Sequence, residues 1–159
     1  MHRVAQLVGH VRARMGPDDE ALVRRLLPPG PLAAFAQMPM ADQRHGLDAA
    51  RHLLAAGHRD ADLLAAALLH DVAKGYRLRL WHRVAGVLLA ALTPRLLARL
   101  ASPRERSWRY PFHLFLEHGP MSADAALAAG CSERCAEFIR GSSSELALQA
   151  ALRAADEAS

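Results

Sequence analysis

The sequence predicts an all-α protein that folds as one domain. Alanine and leucine dominate its 159 residues, β-branched residues are sparse and isoleucine occurs once, a composition that favours helix over strand. No stretch alternates polar and apolar residues in the way that a half-buried strand does. The length suits one hydrophobic core and is short for two. We therefore expect a single compact helical domain with helices of varied length.

The first 40 residues predict short helices that are separated by proline. Asp18 or Asp19 suits the N-cap of a helix that Pro28 then ends, and Pro39 ends the next one. The predicted helices of this part cover 3–14, 20–27 and 32–38. We expect residues 1–40 to form an N-terminal helical extension that packs on a core domain of residues 41–159.

Capping residues and helix breakers divide the rest of the chain. Asp42, Asp60 and Ser144 each precede a helical segment as an N-cap, and Gly119-Pro120 interrupts another segment. The predicted helices of this part run over 42–56, 61–73, 79–92, 94–102, 108–117, 122–129, 133–140 and 144–157.

Composition limits the classes of partner. The net charge is +4, but the positive charge is arginine spread among Asp and Glu, without the basic runs typical of nucleic-acid binding. We therefore expect no nucleic-acid partner, and a small anionic substrate fits the same charge. Cys131 and Cys135 are expected to be buried free thiols. No signal peptide or apolar run of membrane-spanning length occurs, so we expect no membrane partner and a soluble protein of a reducing, bacterial-type cytoplasm.

One stretch carries chemically capable side chains at the end of an apolar helix. In Ala65–Gly75, the predicted helix closes with His70, Asp71 and Lys74. The C-terminal end of a helix favours cations, so Asp71 is poorly placed unless a positive charge lies against it. A metal ion would be such a charge, and His45 and Asp156 could supply further ligands from other helices. Asp156 also follows an alanine-rich helix, where its carboxylate opposes the dipole.

These residues together resemble the HD-domain superfamily of metal-dependent phosphohydrolases. The resemblance covers residues from about 40 to 157, and it is carried by Arg44-His45-Gly46-Leu47-Asp48, Leu68-Leu69-His70-Asp71-Val72-Ala73-Lys74 and Asp156. In that family the pattern H…HD…D holds one metal within an all-helical core. The resemblance implies that a divalent transition ion (Mn, Fe, Ni, Co or Zn) is held by His45, His70, Asp71 and Asp156.

The resemblance also implies an activity and roles for individual residues. The protein would hydrolyse a phosphomonoester or phosphodiester of a small, nucleotide-type substrate through metal-activated water. Asp71, Lys74 and His118 would be catalytic, and Lys74, His82 and Arg44 would bind substrate. Family members with a second ion commonly carry a histidine shortly after the position of Arg140, where this chain continues with Gly141-Ser142-Ser143-Ser144. We therefore expect one ion in preference to two.

Two other functions stay open at this point. A degenerate HD domain would bind metal or nucleotide without turnover, and the residues after Arg140 keep that alternative alive. A basic helical module would instead use its arginines to bind RNA or another protein. Sequence alone predicts neither the substrate nor the oligomeric state.

Overall fold

The computed structural model describes residues 15–78 and 80–159. Nine α-helices and no strand occur in those residues, which confirms the predicted all-α domain. In chain order the helices are α1 (Pro17–Leu26), α2 (Pro29–Ala36), α3 (Met40–Ala55), α4 (Ala61–Leu69), α5 (Leu80–Leu92), α6 (Pro94–Leu100), α7 (Tyr110–Ala128), α8 (Glu133–Arg140) and α9 (Leu146–Ala158). The helix predicted over 3–14 lies outside the described residues.

Helix α4 is the centre of the core. Every residue from Leu63 to Leu69 is buried, as expected for a helix that is apolar on all sides. Helices α3, α8 and α9 pack around it, and α1 and α2 cover another side. The chemically capable residues that follow α4 therefore start from the end of a fully buried apolar segment.

The N-terminal helices share this core. Val23 of α1 and Phe35 of α2 belong to the same buried cluster as α4. Asp19 also joins α1 to α3, because its carboxylate accepts hydrogen bonds from Arg44 and Arg51. A domain boundary near residue 40 stays a prediction.

Several predicted caps are wrong for identifiable reasons. Gly16 is the N-cap of α1, and Asp19 lies at the third helical position, where its carboxylate accepts the Gly16 N–H at 2.9 Å. Asp42 caps nothing: it is fully buried in the first turn of α3 and accepts two hydrogen bonds from Arg83. Ser144 precedes Glu145, which is the N-cap residue of α9.

Two helix lengths also differ from prediction. Helix α4 ends at Leu69, so His70 and the following residues to Arg77 form turns and not a further helical turn. Helix α7 continues through Gly119 and Pro120, where a break was expected. An interior proline costs about 3 kcal/mol of helix stability, which the packing of α7 against α8, α5 and α6 must offset. Gly119 helps, because a residue with a Cβ before proline is disfavoured in helical geometry.

Helices α5 and α6 form a hairpin that packs on α7. The contact between α5 and α7 is close, since a Cβ added at Gly86 would lie 2.7 Å from the ring of Phe115. The opposite side of α5 faces solvent. Among the described helices, none combines the length and the apolar character that crossing a bilayer requires.

Candidate metal centre

His45 comes from α3, at the point where α3 touches α4. Gly46 follows it, and a Cβ at Gly46 would lie 2.8 Å from the carbonyl oxygen of Leu68 and 3.1 Å from that of Ala67. Glycine permits this close approach of the two backbones. As a result, the rings of His45 and His70 are 5.1 Å apart between centroids.

His70 is the C-cap residue of α4. Its Nδ1 lies 2.9 Å from the carbonyl oxygen of Ala67. A carbonyl oxygen can only accept, so Nδ1 carries the proton and donates it. This bond fixes the ring and turns Nε2 towards Oδ1 of Asp156 at 3.1 Å and Oδ1 of Asp71 at 3.6 Å.

Asp156 reaches the same point from the last turns of α9. Its Oδ1 lies 2.8 Å from Nε2 of His45. The candidate ligand atoms of His45, His70 and Asp156 all lie within 4.8 Å of one another. Three side chains that are far apart in sequence therefore converge, and the structure brings together three of the four predicted metal ligands.

Asp71, the fourth predicted ligand, is buried directly beside this group. Its Oδ2 accepts a hydrogen bond from Nζ of Lys74 at 2.6 Å. The side chain of Asp71 is 2% exposed and that of Lys74 is 17% exposed. Lys74 is also the only lysine of the chain, so this ion pair uses a side chain that occurs nowhere else in it.

Two buried polar atoms at this point lack a hydrogen-bond partner within the described residues. They are Nε2 of His70 and Oδ1 of Asp71. Nε2 of His70 is close to Asp156, but the angles are not those of a hydrogen bond. A buried polar atom without a partner costs roughly 1–3 kcal/mol. Imidazole nitrogen and carboxylate oxygen are donors to divalent transition ions, so the residues present fit a metal that would use both atoms.

The electrostatics of the site keep its carboxylates ionised. Burial would raise the pKa of Asp71, but His70 and Lys74 together hold it well below its usual range. Burial would also raise the pKa of Asp156, but the neighbouring His45 and His70 hold it low. Burial would lower the pKa of His70, yet Asp71 and Asp156 outweigh it and raise that pKa to about 9. A metal ion would therefore replace a proton on His70, as metal binding to histidine generally does.

His118 extends the site from α7. Its Nδ1 lies 3.0 Å from the carbonyl oxygen of Phe115, so this nitrogen donates and Nε2 keeps its lone pair. Burial lowers the pKa of His118 most, and the charges of Lys74 and His70 lower it as well. Asp71 and the Phe115 hydrogen bond raise this pKa by less. His118 is therefore a largely neutral imidazole near the Asp71–Lys74 pair.

A cleft of about 420 Å³ opens beside Lys74. Tyr110 and Leu114 of α7 form one wall, and Tyr76 and Arg77 of the turn after Asp71 form another. The guanidinium of Arg77 lies 5.5 Å from the centre of the Tyr110 ring. The cleft thus combines apolar and aromatic surface with Lys74, Arg77 and Glu105, and Glu105 pairs with Arg77 at 3.4 Å.

The structure places two predicted substrate-binding residues in other surroundings. Arg44 donates to Asp19 at 3.1 Å and to Asp48 at 3.0 Å, so its guanidinium joins α1 to α3. His82 is buried on α5, with its ring centroid 3.6 Å from that of Trp81 and 5.9 Å from that of Phe112. These contacts give neither residue a place among the converging ligands, and their substrate contacts stay predictions.

Two residues that shape the site were not predicted to do so. Ser122 is fully buried on α7, and its hydroxyl accepts the N–H of Ala73 at 3.1 Å, which fixes the turn that carries Asp71 and Lys74. No sequence pattern marks this serine. Gly46 does carry a signal, because glycine inside a helix costs about 1 kcal/mol and so suggests a close backbone approach.

Comparison with known proteins adds no relative. No family model matches the chain, and neither the curated proteins nor the solved structures yielded a match.

Proposed function

We propose that this protein is a metal-dependent phosphohydrolase of the HD-domain type. One observation carries the proposal: His45, His70 and Asp156 bring ligand atoms within 4.8 Å of one another. Beside them, Oδ1 of Asp71 is buried without a hydrogen-bond partner in the described structure. This is the ligand set that the sequence resemblance implies. The site is consistent with Mn, Fe, Co, Ni or Zn, all of which accept mixed nitrogen and oxygen ligands.

A bound divalent ion would polarise a phosphoryl oxygen and lower the pKa of a water molecule, which is the chemistry that phosphate-ester hydrolysis needs near neutral pH. The chain's own residues would then do the rest. The ion would be held by His45, His70, Asp71 and Asp156. The hydrogen bond that Nδ1 of His70 donates to Ala67 keeps Nε2 of His70 directed at the other ligands.

Lys74 would serve two partners. An ammonium group has three N–H donors, and one of them binds Oδ2 of Asp71. Lys74 also lines the 420 Å³ cleft, so its remaining donors can meet a phosphate oxygen there. His118 would accept or return a proton at Nε2, since its Nδ1 is engaged with Phe115.

The cleft suits a small substrate that carries phosphate and a planar group. Lys74 offers positive charge, Arg77 is shared with Glu105, and Tyr110 and Leu114 offer apolar surface. The nucleotide character of the substrate rests on the resemblance, and the aromatic wall is compatible with it.

Metal analysis and a substrate screen test this proposal. Protein purified without a histidine tag and reloaded with Mn, Fe, Ni, Co or Zn is expected to retain about one ion per chain. It is then assayed on p-nitrophenyl phosphate, bis(p-nitrophenyl) phosphate and a panel of nucleotides. His45→Ala and Asp71→Asn should lose both metal and activity. His52→Ala is the matched control, because His52 is an exposed histidine of the same helix.

The outcomes separate the alternatives. Retained metal without turnover on any substrate would favour a degenerate HD domain that binds without hydrolysis. Absence of metal after reloading would refute both forms of the proposal. Binding of RNA that weakens steeply with salt and is indifferent to Asp71→Asn would favour the basic helical module.

A further inference from the structure

Helix α5 exposes a continuous apolar stripe. Trp81, Val84, Leu88 and Leu92 recur at helical spacing, so they share one side of α5. They are 55%, 45%, 54% and 77% exposed, respectively. The other side of α5 is used for packing on α7, as the burial of Gly86 shows. Contiguous apolar surface of this kind usually marks a place where a partner or a membrane is contacted.

The chain segment that carries this stripe has charges of one sign. From residue 72 to residue 104 the sequence contains no Asp or Glu. Three arginines that follow the stripe, Arg95, Arg99 and Arg104, are exposed, as is Leu96 between the first two. The surface of the α5–α6 hairpin therefore combines apolar side chains with positive charge.

We propose that this hairpin binds the surface of a membrane rich in anionic phospholipid. Apolar side chains on one side of a helix, with tryptophan and arginine nearby, suit insertion at the boundary of headgroups and acyl chains. The arginines would meet lipid phosphates, each contact adding to the attraction. Two copies of this hairpin would instead oppose arginine with arginine, which disfavours self-association through it.

The shape of the surface is compatible with this occupant. The stripe is the outward side of a helix, and a lipid interface accepts a protruding apolar helix without a groove. The expectation of no membrane partner rested on the lack of a spanning segment, and a helix that lies in the interface needs no such segment.

Vesicle binding of the full chain tests the proposal. The chain has two tryptophans, so Trp108→Phe leaves Trp81 as the only indole reporter. Vesicles of phosphatidylcholine with phosphatidylglycerol should bind this protein and shift the Trp81 emission to shorter wavelength. Vesicles of phosphatidylcholine alone should bind much more weakly, and added salt should release the protein from the anionic vesicles.

Leucine substitutions supply a matched control. Leu92 and Leu146 are 77% and 78% exposed, and Leu146 lies at the start of α9. Leu88→Asp or Leu92→Asp should weaken partitioning into the vesicles about tenfold. Each change removes a leucine side chain that would insert into the lipid and adds a negative charge that anionic lipid repels. Leu146→Asp makes the same chemical change elsewhere and should bind as the parent does. Circular dichroism verifies that each variant is folded.

Four results would overturn the proposal. The first is a failure to bind anionic vesicles, and the second is equal binding to neutral and anionic vesicles. The third is an equal loss of binding in Leu92→Asp and Leu146→Asp. The fourth is a concentration-dependent dimer that Leu92→Asp dissociates, which would identify a second copy as the occupant.

Discussion

One carboxylate oxygen of Asp71 accepts a hydrogen bond from Lys74 at 2.6 Å, and the other has no hydrogen-bond partner among the described residues. The carboxylate is thus held in position and still has a lone pair directed at His70, whose Nε2 is 3.6 Å away. Lys74 supplies a positive charge against a buried anion that lies just beyond the end of α4, where the helix dipole disfavours negative charge. The ion pair therefore offsets part of the free-energy cost of burying the Asp71 carboxylate in the absence of metal.

Removal of the ammonium should expose this dependence. Lys74→Met leaves the Asp71 carboxylate buried without its cation, and we expect a loss of roughly 3 kcal/mol in the free energy of unfolding without metal. Added Mn or Zn should recover part of the loss by binding the folded state. Urea unfolding of the parent and the variant, with and without metal, measures both effects.

A second substitution isolates the charge from the packing of the lysine stem. Lys74→Met combined with Asp71→Asn also removes the buried carboxylate charge that Lys74 neutralises, so the double variant should be more stable than Lys74→Met alone. Equal stability of the two variants would mean that the loss comes from the hydrocarbon stem and not from the ion pair. Metal should not stabilise the double variant in the way that it stabilises the parent.

Gly46→Ala should loosen the contact that brings His45 to His70. The added Cβ would approach the backbone oxygen of Leu68 to 2.8 Å, and a backbone cannot rotate away. Alanine ordinarily gains about 1 kcal/mol over glycine in a helix, but here we expect a net loss of roughly 1–2 kcal/mol from overpacking. Metal affinity should fall about tenfold because the ligands separate. Urea unfolding and metal titration measure the two effects.

Gly119→Ala provides the comparison for stability. Gly119 also lies within a helix, and the nearest neighbour of its added Cβ is the Ile139 carbonyl oxygen at 3.8 Å. Because the residue precedes proline, alanine gains little there, and we expect a change within about 1 kcal/mol of the parent. An equal loss in both glycine variants would show that the close approach at Gly46 is not the cause.

Asp42 and Arg83 should be similarly coupled across α3 and α5. Two contacts of 2.7 and 2.9 Å join one guanidinium nitrogen to both oxygens of a fully buried carboxylate. Asp42→Ala is expected to cost roughly 3 kcal/mol, because a charged partner remains in a largely buried site. Asp48→Ala on the same helix breaks pairs that are more exposed than the Asp42 carboxylate and should cost less than about 1 kcal/mol. Urea unfolding of both variants tests the difference.

Composition and spacing predicted the helical class and the polar residues at the end of α4, because both are encoded locally. The alanine-rich, wholly apolar segment before His70 predicts a buried helix, and polar residues at its end predict a need for partners. That His45 and Asp156 would supply them followed from resemblance, since no local pattern reports a contact between positions 111 residues apart.

The errors arose where tertiary contacts override local preference. Asp42 was predicted as an N-cap, but α3 begins at Met40, and the partly buried Arg83 binds the Asp42 carboxylate. Pro120 is a helix breaker in isolation, yet α7 packs on four other helices and continues through it. The role of Ser122 depends on an N–H that is 49 residues away, so the sequence offers no sign of it.

Asp60 joins the start of α4 to α8. Its Oδ1 accepts the N–H of Leu63 at 3.0 Å as a helix cap, and it also accepts a hydrogen bond from Arg134 at 2.8 Å. Arg134 in turn binds Glu145 at the start of α9. The hydrogen bond from Arg134, together with that from Leu63, lowers the pKa of Asp60 in spite of partial burial.

Acid should remove the contribution of Asp60 to stability. Because its pKa is lower in the folded state, the unfolded chain binds more protons, so the stabilisation is present at neutral pH and is lost as the pH falls through the folded pKa, below 3.8. Asp60→Ala should cost about 1 kcal/mol at neutral pH and progressively less in acid. Urea unfolding of the parent and Asp60→Ala from about pH 7 to about pH 3 measures this narrowing. Asp124→Ala, which removes a pair with a 74% exposed carboxylate, should cost less than about 1 kcal/mol at neutral pH. A difference between Asp60→Ala and the parent that stays constant with pH would contradict the assignment.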